Sequence, residues 1–423
     1  MSGEVTLFDQ VTSAFEKTKD FSMTNDAEFD VQYPTGFLNF DYIACGRIIN
    51  GCMPDGTMFS YDSLGIVDGS LDMFIGRSGC GKSTFVIQAA ANIVKPFPNG
   101  LIFADFTEAG MMKDRFESLA KFSSHEEFEK RVKMRNSGIT IENVYRRIKV
   151  IHDTKLENAG KFRYDTGLYD THGKKIIKFV PTIYILDSIA VLCTEKNYEE
   201  DEMSGQMSTT ANAKALAQMY RRLTQVCKEA NIILLAINHI TVKIEASAFV
   251  HTKASLPYLK QNESLPGGVT PPYLSTVFRL DDGTKVTSDK EFGIEGCYVS
   301  ISNVKSRAGI SGAASATDII FNYVIGFDAD LSLYAMLKSA GRVNGAGAYL
   351  YFGDRSDHKF SQRNFKEKIS TDPELLNIFV EEAFNFLRND LIAYEKLKNA
   401  PASQTTALVM EKIKNLTTMS MAS

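Results

Sequence analysis

Gly76-Arg77-Ser78-Gly79-Cys80-Gly81-Lys82-Ser83 fits the spacing G-x-x-x-x-G-K-[ST] in full, with Thr84 directly behind it. Each residue type has a physical use here. The glycines let backbone N–H groups curl around a phosphate, and a helix opening at the loop's end adds its positive pole. Lys82 has the charge and reach to bridge β- and γ-phosphates, and the Ser83 hydroxyl is of the kind that holds Mg²⁺. An inert glycine-rich turn between strand and helix explains the glycines but not Lys82-Ser83. Asp187 closes the apolar run 182–186. An acid at the end of a buried strand suits a second magnesium ligand; capping of the next helix is the plain alternative. Asp105 and Glu108 follow the apolar run 101–104. Acids just past a strand beside a phosphate loop lie at a sheet's ligand edge. Glu108 is the better candidate for polarising water, with Asp105 in support, and two solvated loop acids are the competing reading. Asn238-His239 end the run 232–237, either as a pair that feels a γ-phosphate or as ordinary strand termination.

These residues need elements to hold them. The runs 71–75, 101–104, 183–186, 232–237, 275–280 and 297–301 are apolar with little alternation, as strands buried on both faces of a parallel sheet are. Helical patterns follow at 82–93, 111–120 and 212–230. Such alternation predicts an α/β fold, a mostly parallel central sheet flanked by helices. The expected division is an N-terminal arm over 1–34, a core over 35–352 and a helical extension over 353–423. Phe8, Val11 and Phe15 give the arm one apolar stripe, for packing on its own domain or on a neighbouring subunit. The extension reads as one amphipathic helix after Pro373, then a frayed tail. Four stretches interrupt the core: 51–69, expected to be a loop; 123–147, a charged helical insertion; and the polar segments 194–210 and 241–270. Long loops inside a compact domain are often functional.

Composition narrows the function. The 423 residues carry 47 Lys plus Arg against 51 Asp plus Glu, so nucleic-acid binding must come from a local patch or a polymeric array. With 44% apolar and 23% charged residues, wholesale disorder is excluded. No apolar run approaches the ~20 residues of a membrane span. The six cysteines form no CxxC pair and the six histidines no HExxH, which leaves disulfide-scaffold and zinc-enzyme readings weak. A reducing cytoplasm, in a bacterial or phage-infected cell, is the expected compartment.

The ordered set resembles a RecA-family recombinase, most of all its phage UvsX-type branch. It runs from the phosphate loop 76–83 through Asp105-x-x-Glu108, Ile183-x-x-Leu186-Asp187-Ser188-x-Ala190 and Asn238-His239 to Val304-Lys305-Ser306-Arg307. Pro34 to Asp41 and Leu337 to Val343 are similar to that family's entry to and exit from its core, so the likeness covers about residues 35–350. It implies a DNA-dependent ATPase, using ATP and Mg²⁺, that forms a helical filament on single-stranded DNA and pairs it with homologous duplex in recombination and repair. ATP would lie between protomers. Glu108 would activate water, His239 would sense the γ-phosphate, and Lys305 and Arg307 would reach a neighbour's ATP. Arg115 or Phe116 would stack on adenine. DNA-binding loops are implied at about 200–209, with Met203 and Met207, and at 241–268, with Lys243, Ile244 and Phe249. Arg221 and Arg222 are implied phosphate ligands, and single-strand-binding and mediator proteins possible partners. Three features depart from the family: a D-x-x-E one residue longer than usual, a long second loop, and a tail, 366–423, with eight acids against seven bases. The alternatives are a hexameric helicase of RecA-like fold and a non-catalytic ATP-binding paralogue or mediator.

Overall fold

The computed structural model describes residues 30–45, 47–108, 110–170, 173–199, 206–242, 254–286, 295–307 and 316–390. Nine strands form the central sheet: β1 (Leu71–Gly76), β2 (Leu101–Phe106), β3 (Val132–Arg135), β4 (Thr182–Asp187), β5 (Ile232–His239), β6 (Thr276–Val286), β7 (Gly296–Lys305), β8 (Ala316–Asn322) and β9 (Gly326–Asp328). Their spatial order is β3-β2-β4-β5-β1-β6-β7-β8-β9. The first six are mutually parallel; β7, β8 and β9 run antiparallel to their neighbours. The chain is therefore α/β with a mostly parallel sheet, and the run 297–301 belongs to the antiparallel flank.

Helices cover both faces, and residue parity decides which. Ile102, Ala104, Ile183, Ile185, Ile233, Leu235 and Ile237 pack on one side with Phe85, Val86 and Ala89 of α2 (Lys82–Val94) and with Phe116 and Leu119 of α3 (Lys113–Ala120); α1 (Leu38–Ala44) lies upstream of these. Met73, Ile75, Tyr184, Leu186, Leu234 and Ala236 pack on the other with Val144 and Ile148 of α4 (Ile141–Glu157) and with Met219, Leu223 and Cys227 of α5 (Gln206–Ala230). Side chains alternate along a strand, so an unbroken apolar run serves two cores at once. A third cluster joins α1 to α6 (Ala329–Ser339), α7 (Phe365–Thr371) and α8 (Pro373–Asp390) through Tyr42, Tyr334, Phe365, Phe379 and Phe384. The entry motif has a local reason: buried Asp41 accepts hydrogen bonds from the Thr35 backbone N–H (2.9 Å) and hydroxyl (2.7 Å), pinning the turn through Gly36 to α1.

Three expectations need correction. Residues 51–69 are not one loop: Arg47–Cys52 and Met58–Ser63 pair as a hairpin. The stretch 123–147 holds helices but also edge strand β3, whose polar alternation, VKMR, hid it. The segment 194–210 is largely helical, with Glu195–Glu199 and the first turn of α5. No helix among the described residues is long and apolar enough to cross a membrane.

Candidate functional site

The Gly76–Ser83 loop leaves the carboxyl end of β1 and runs straight into α2. Gly81 takes φ +83° as the helix N-cap, and a Cβ there would stand 2.9 Å from the Phe327 ring, so this position needs glycine. The Lys82 ammonium is buried and donates to the carbonyls of Gly76 (3.0 Å) and Arg77 (2.6 Å). Its stem is thus laid along the loop it would serve. Ser83, one residue on, donates from Oγ to Asp187 Oδ2 at 2.6 Å. The Asp187 carboxyl is pushed upward, first by burial and then by Glu108, against the Ser83 hydrogen bond and the charges of His239 and Lys82.

Strand pairing explains the convergence. Asp187 is level with Phe106 on β2 and with Ile237 on β5, so β2, β4 and β5 end together beside the loop. Glu108, two residues beyond β2, places Oε1 2.6 Å from Ser188 Oγ and 2.9 Å from His239 Nε2. The imidazole lies out of line for a hydrogen bond, which leaves buried Nε2 without a hydrogen-bond partner among the described residues. Thr107 and Ser188 fix this corner: Thr107 Oγ1 donates to Ser188 O (3.0 Å) and accepts from Ser188 N (2.8 Å), across a cis Asp187–Ser188 peptide. The result is a cleft of about 320 Å³ lined by Gly79, Lys82, Ser83, Thr84, Glu108, Asp187 and His239. Ser78, Gly81 and Phe321 also line it.

Not every expected residue is there. Asp105 is excluded from the cleft. It alternates with Ala104 and Phe106, points to the α4 face, and pairs with Arg147 at 2.5 Å and with the Tyr184 hydroxyl. Arg115, exposed on α3, donates to the Val324 carbonyl at 2.6 Å, and Phe116 is buried in the core. Arg222 turns to the Tyr145 ring of α4, 5.6 Å away. Arg221 is exposed on α5, fourteen residues past Met207, which is ~21 Å along a helix. The structure does not bring these two arginines to the first loop. Met203, Lys243, Ile244 and Phe249 lie outside the described residues, as do the side chain of Met207 and residues 1–29 of the arm.

Lys305 and Arg307 stand at the other end of the sheet. Lys305 is level with Val277, itself level with Met73, three residues short of the tip of β1. Its ammonium reaches farther from the loop, to the carbonyls of Tyr273 (2.7 Å) and Ser275 (2.6 Å), and Arg307 Nη1 shares the Tyr273 carbonyl at 3.1 Å. The i, i+2 spacing does put both cations on one side. Burial, then Arg307, pushes the Lys305 amine down to about 8.

Two contributors escaped the sequence reading. Ser188, which holds Glu108, sat inside a quoted motif and was visible as a hydroxyl next to Asp187. Phe321, on antiparallel β8, had no local signal. Fold and cleft together define an α/β protein whose glycine loop, lysine, hydroxyl–carboxylate pair and Glu–His pair meet at the carboxyl ends of parallel strands. No family model matches the chain, and neither does any curated protein.

Proposed function

We propose that the protein is a RecA-like, DNA-dependent ATPase that assembles on single-stranded DNA and catalyses homologous pairing and strand exchange. The observation that carries the ATPase part is the meeting of Lys82, Ser83–Asp187, Glu108 and His239 around one cleft. The donor set fits the group: a hydroxyl and a carboxylate are hard oxygen ligands of the kind Mg²⁺ takes while keeping several waters. A Cβ at Gly79 would have open space around it, so phosphate oxygens have room at the loop's outer turn. Bound Mg²⁺ would draw charge off the phosphates. Lys82 would exchange its carbonyl partners for β- and γ-phosphate oxygens. Glu108 would accept a proton from the attacking water, steadied by Ser188. The free His239 nitrogen is available to a γ-phosphate oxygen. Phe321 offers an aromatic face beside the cleft.

Assembly and DNA binding rest on less direct support. Lys305 and Arg307 cannot serve their own loop from the far end of the sheet, which suits a role at a neighbour's nucleotide. The outer edge of β3 pairs with no other strand among the described residues. A groove of about 1000 Å³ beside it, lined by Phe103, Met134, Val150 and Ile151, gives apolar surface for the Phe8/Val11/Phe15 stripe of another protomer's arm. Thr241–Val242 pairs with Glu263–Ser264 as the stem of the second loop. Asn238, next to His239, donates to the Pro266 carbonyl at 3.0 Å. A change at the γ-phosphate would thereby reach the loop that holds Lys243. The deciding experiment is ATP turnover with and without single-stranded DNA, paired with electron microscopy. DNA-stimulated hydrolysis and open helical filaments are expected. Closed rings or DNA-indifferent hydrolysis would overturn the recombinase reading, and absence of hydrolysis would overturn the ATPase reading.

A further inference from the structure

A second pocket lies farther along the same helix. Ser83 and Thr84 of α2 line the cleft, whereas Gln88, Asn92 and the C-capping Lys95 line a separate cavity of about 230 Å³, ~12–17 Å along the helix axis. Lys121, Asp330 and Lys366 close its other sides. The charges here are unevenly matched. Lys366 is paired with Asp328 at 2.6 Å, and Glu127 is taken by Arg131 at 2.7 Å. Lys95 has no hydrogen-bond or carboxylate partner among the described residues; its amine only overlies the Phe122 ring at 5.9 Å. Burial, then Lys121, pushes that amine down to about 8, with Glu127 opposing. A partly buried ammonium without a counter-ion is costly, and its cheapest remedy is an anion that also faces a second cation. Lys121, exposed and equally without a partner, is that second cation. Burial and Asp328 hold the Asp330 carboxyl up at about 6, and its protonated form is a donor to an oxyanion.

We propose that this cavity is a binding site for a small tetrahedral oxyanion, inorganic phosphate, held by Lys95, Lys121 and the amides of Gln88 and Asn92. The site touches the cleft mechanically. Gln88 is bonded both ways to the Phe327 backbone, donating to its carbonyl at 3.1 Å and accepting from its N–H at 2.8 Å. The Phe327 ring in turn covers Gly81. Gly326 has no slack: a Cβ there would come within 2.9 Å of Thr84 and 2.7 Å of Gln88. An anion that draws in Gln88 and Asn92 therefore bears on the start of α2 and on the glycine loop. The binding claim itself does not depend on ATP hydrolysis.

The test must keep phosphate out of the glycine loop, itself an anion cradle. It therefore uses full-length Lys82→Ala protein, titrated with sodium phosphate against sodium chloride of equal ionic strength, with thermal unfolding and calorimetry as readouts. The expected result is saturable phosphate binding by Lys82→Ala protein. Adding Lys121→Glu, a change at an exposed position that spares the fold, should weaken it at least tenfold; adding Lys95→Met should abolish it. Chloride matching phosphate would overturn the site, as would undiminished binding after Lys121→Glu. Loss of all phosphate binding on Lys82→Ala alone would also overturn it. Failure of ATP turnover with phosphate binding intact would count against the ATPase reading and leave this site standing.

Discussion

Glu108→Gln and Asp105→Asn form an informative pair, because one sequence motif supplies both residues and the structure gives them opposite work. The Glu108 side chain is 46% exposed, and its contact with His239 is the only ion pair it forms among the described residues. In that much solvent such a pair is worth at most ~1 kcal/mol. Glutamine keeps the shape and an oxygen that can accept from Ser188, so folding should barely change. It cannot take a proton from water, and a positioned general base is worth ~10²-fold or more, about 2.7 kcal/mol of barrier. Asp105 is the reverse case. Its side chain is 4% exposed and neutralises Arg147, itself 21% exposed. Asparagine still accepts from Tyr184 but strands the guanidinium. Breaking a fully buried pair costs ~3–5 kcal/mol, and partial exposure of Arg147 brings this to roughly 2 kcal/mol. Urea unfolding and single-turnover phosphate release, scaled to folded protein, separate the two. Expected are a hundredfold slower turnover at unchanged midpoint for Glu108→Gln, and a lower midpoint at near-normal turnover for Asp105→Asn. Exchanged phenotypes would refute the parity argument that turns Asp105 away from the cleft.

Lys82→Ala should abolish hydrolysis and leave the circular-dichroism spectrum native; full turnover in this variant would remove the glycine loop from the mechanism. Lys305→Ala with Arg307→Ala should lower DNA-stimulated hydrolysis by ~10³-fold without affecting nucleotide binding by a lone protomer. Mixing that variant with Glu108→Gln should recover part of the turnover, and no recovery despite shown co-assembly speaks against a shared site. Lys243→Ala should reduce the log–log salt slope of single-strand binding by roughly 0.7, whereas Arg221→Ala, remote on α5, should not. Stability should fall as pH rises. Burial lifts the carboxyls of Asp41 and Asp72 to about 7, so the folded state holds protons that the unfolded chain releases near 3.8. Their contribution is complete below ~4 and is lost between there and ~7, at most ~4 kcal/mol each. Denaturant midpoints should be higher at pH 6 than at pH 8, with Asp41→Asn flattening the slope; a profile rising with pH would contradict it.

The sequence made the parallel sheet legible because its strands are buried on both faces. Runs such as ILLAI admit little else when helices of regular period lie between them. It concealed β3, a short edge strand whose residues alternate in exposure, and the hairpin over 47–63, whose polar composition resembles a loop's. The glycine loop, Ser83, Asp187 and His239 were legible because they lie at strand ends or helix starts, where one run fixes the position. Asp105 misled because adjacency in a motif was taken for adjacency in space. Residues 104 and 105 face opposite sides of the same strand, a distinction the period of two already contained. Phe321 was beyond reach: β8 arrives at the cleft through Phe327 and α2, a contact more than two hundred residues long in sequence.

The strand order also bears on why a protein of this kind would act as an assembly. With β5 between β1 and β4, His239 stands between the glycine loop and Asp187, and every group that would touch the γ-phosphate from its own chain comes from one sheet edge. In that edge the only described cation is Lys82, since Arg77 and Arg115 do not line the cleft. Hydrolysis builds charge on the departing phosphate oxygens, and one ammonium is a thin complement to it. The pair with the right spacing, Lys305 and Arg307, is held at the opposite edge by the Tyr273 carbonyl, pointing away from its own cleft. A head-to-tail stack presents one protomer's far edge to the next protomer's cleft, and such a contact is heterologous: it closes into a ring or continues as a helix. Separation of cations from cleft within one chain thereby makes hydrolysis conditional on a neighbour, and makes a filament that loses its ATP lose the charge that ties its protomers together.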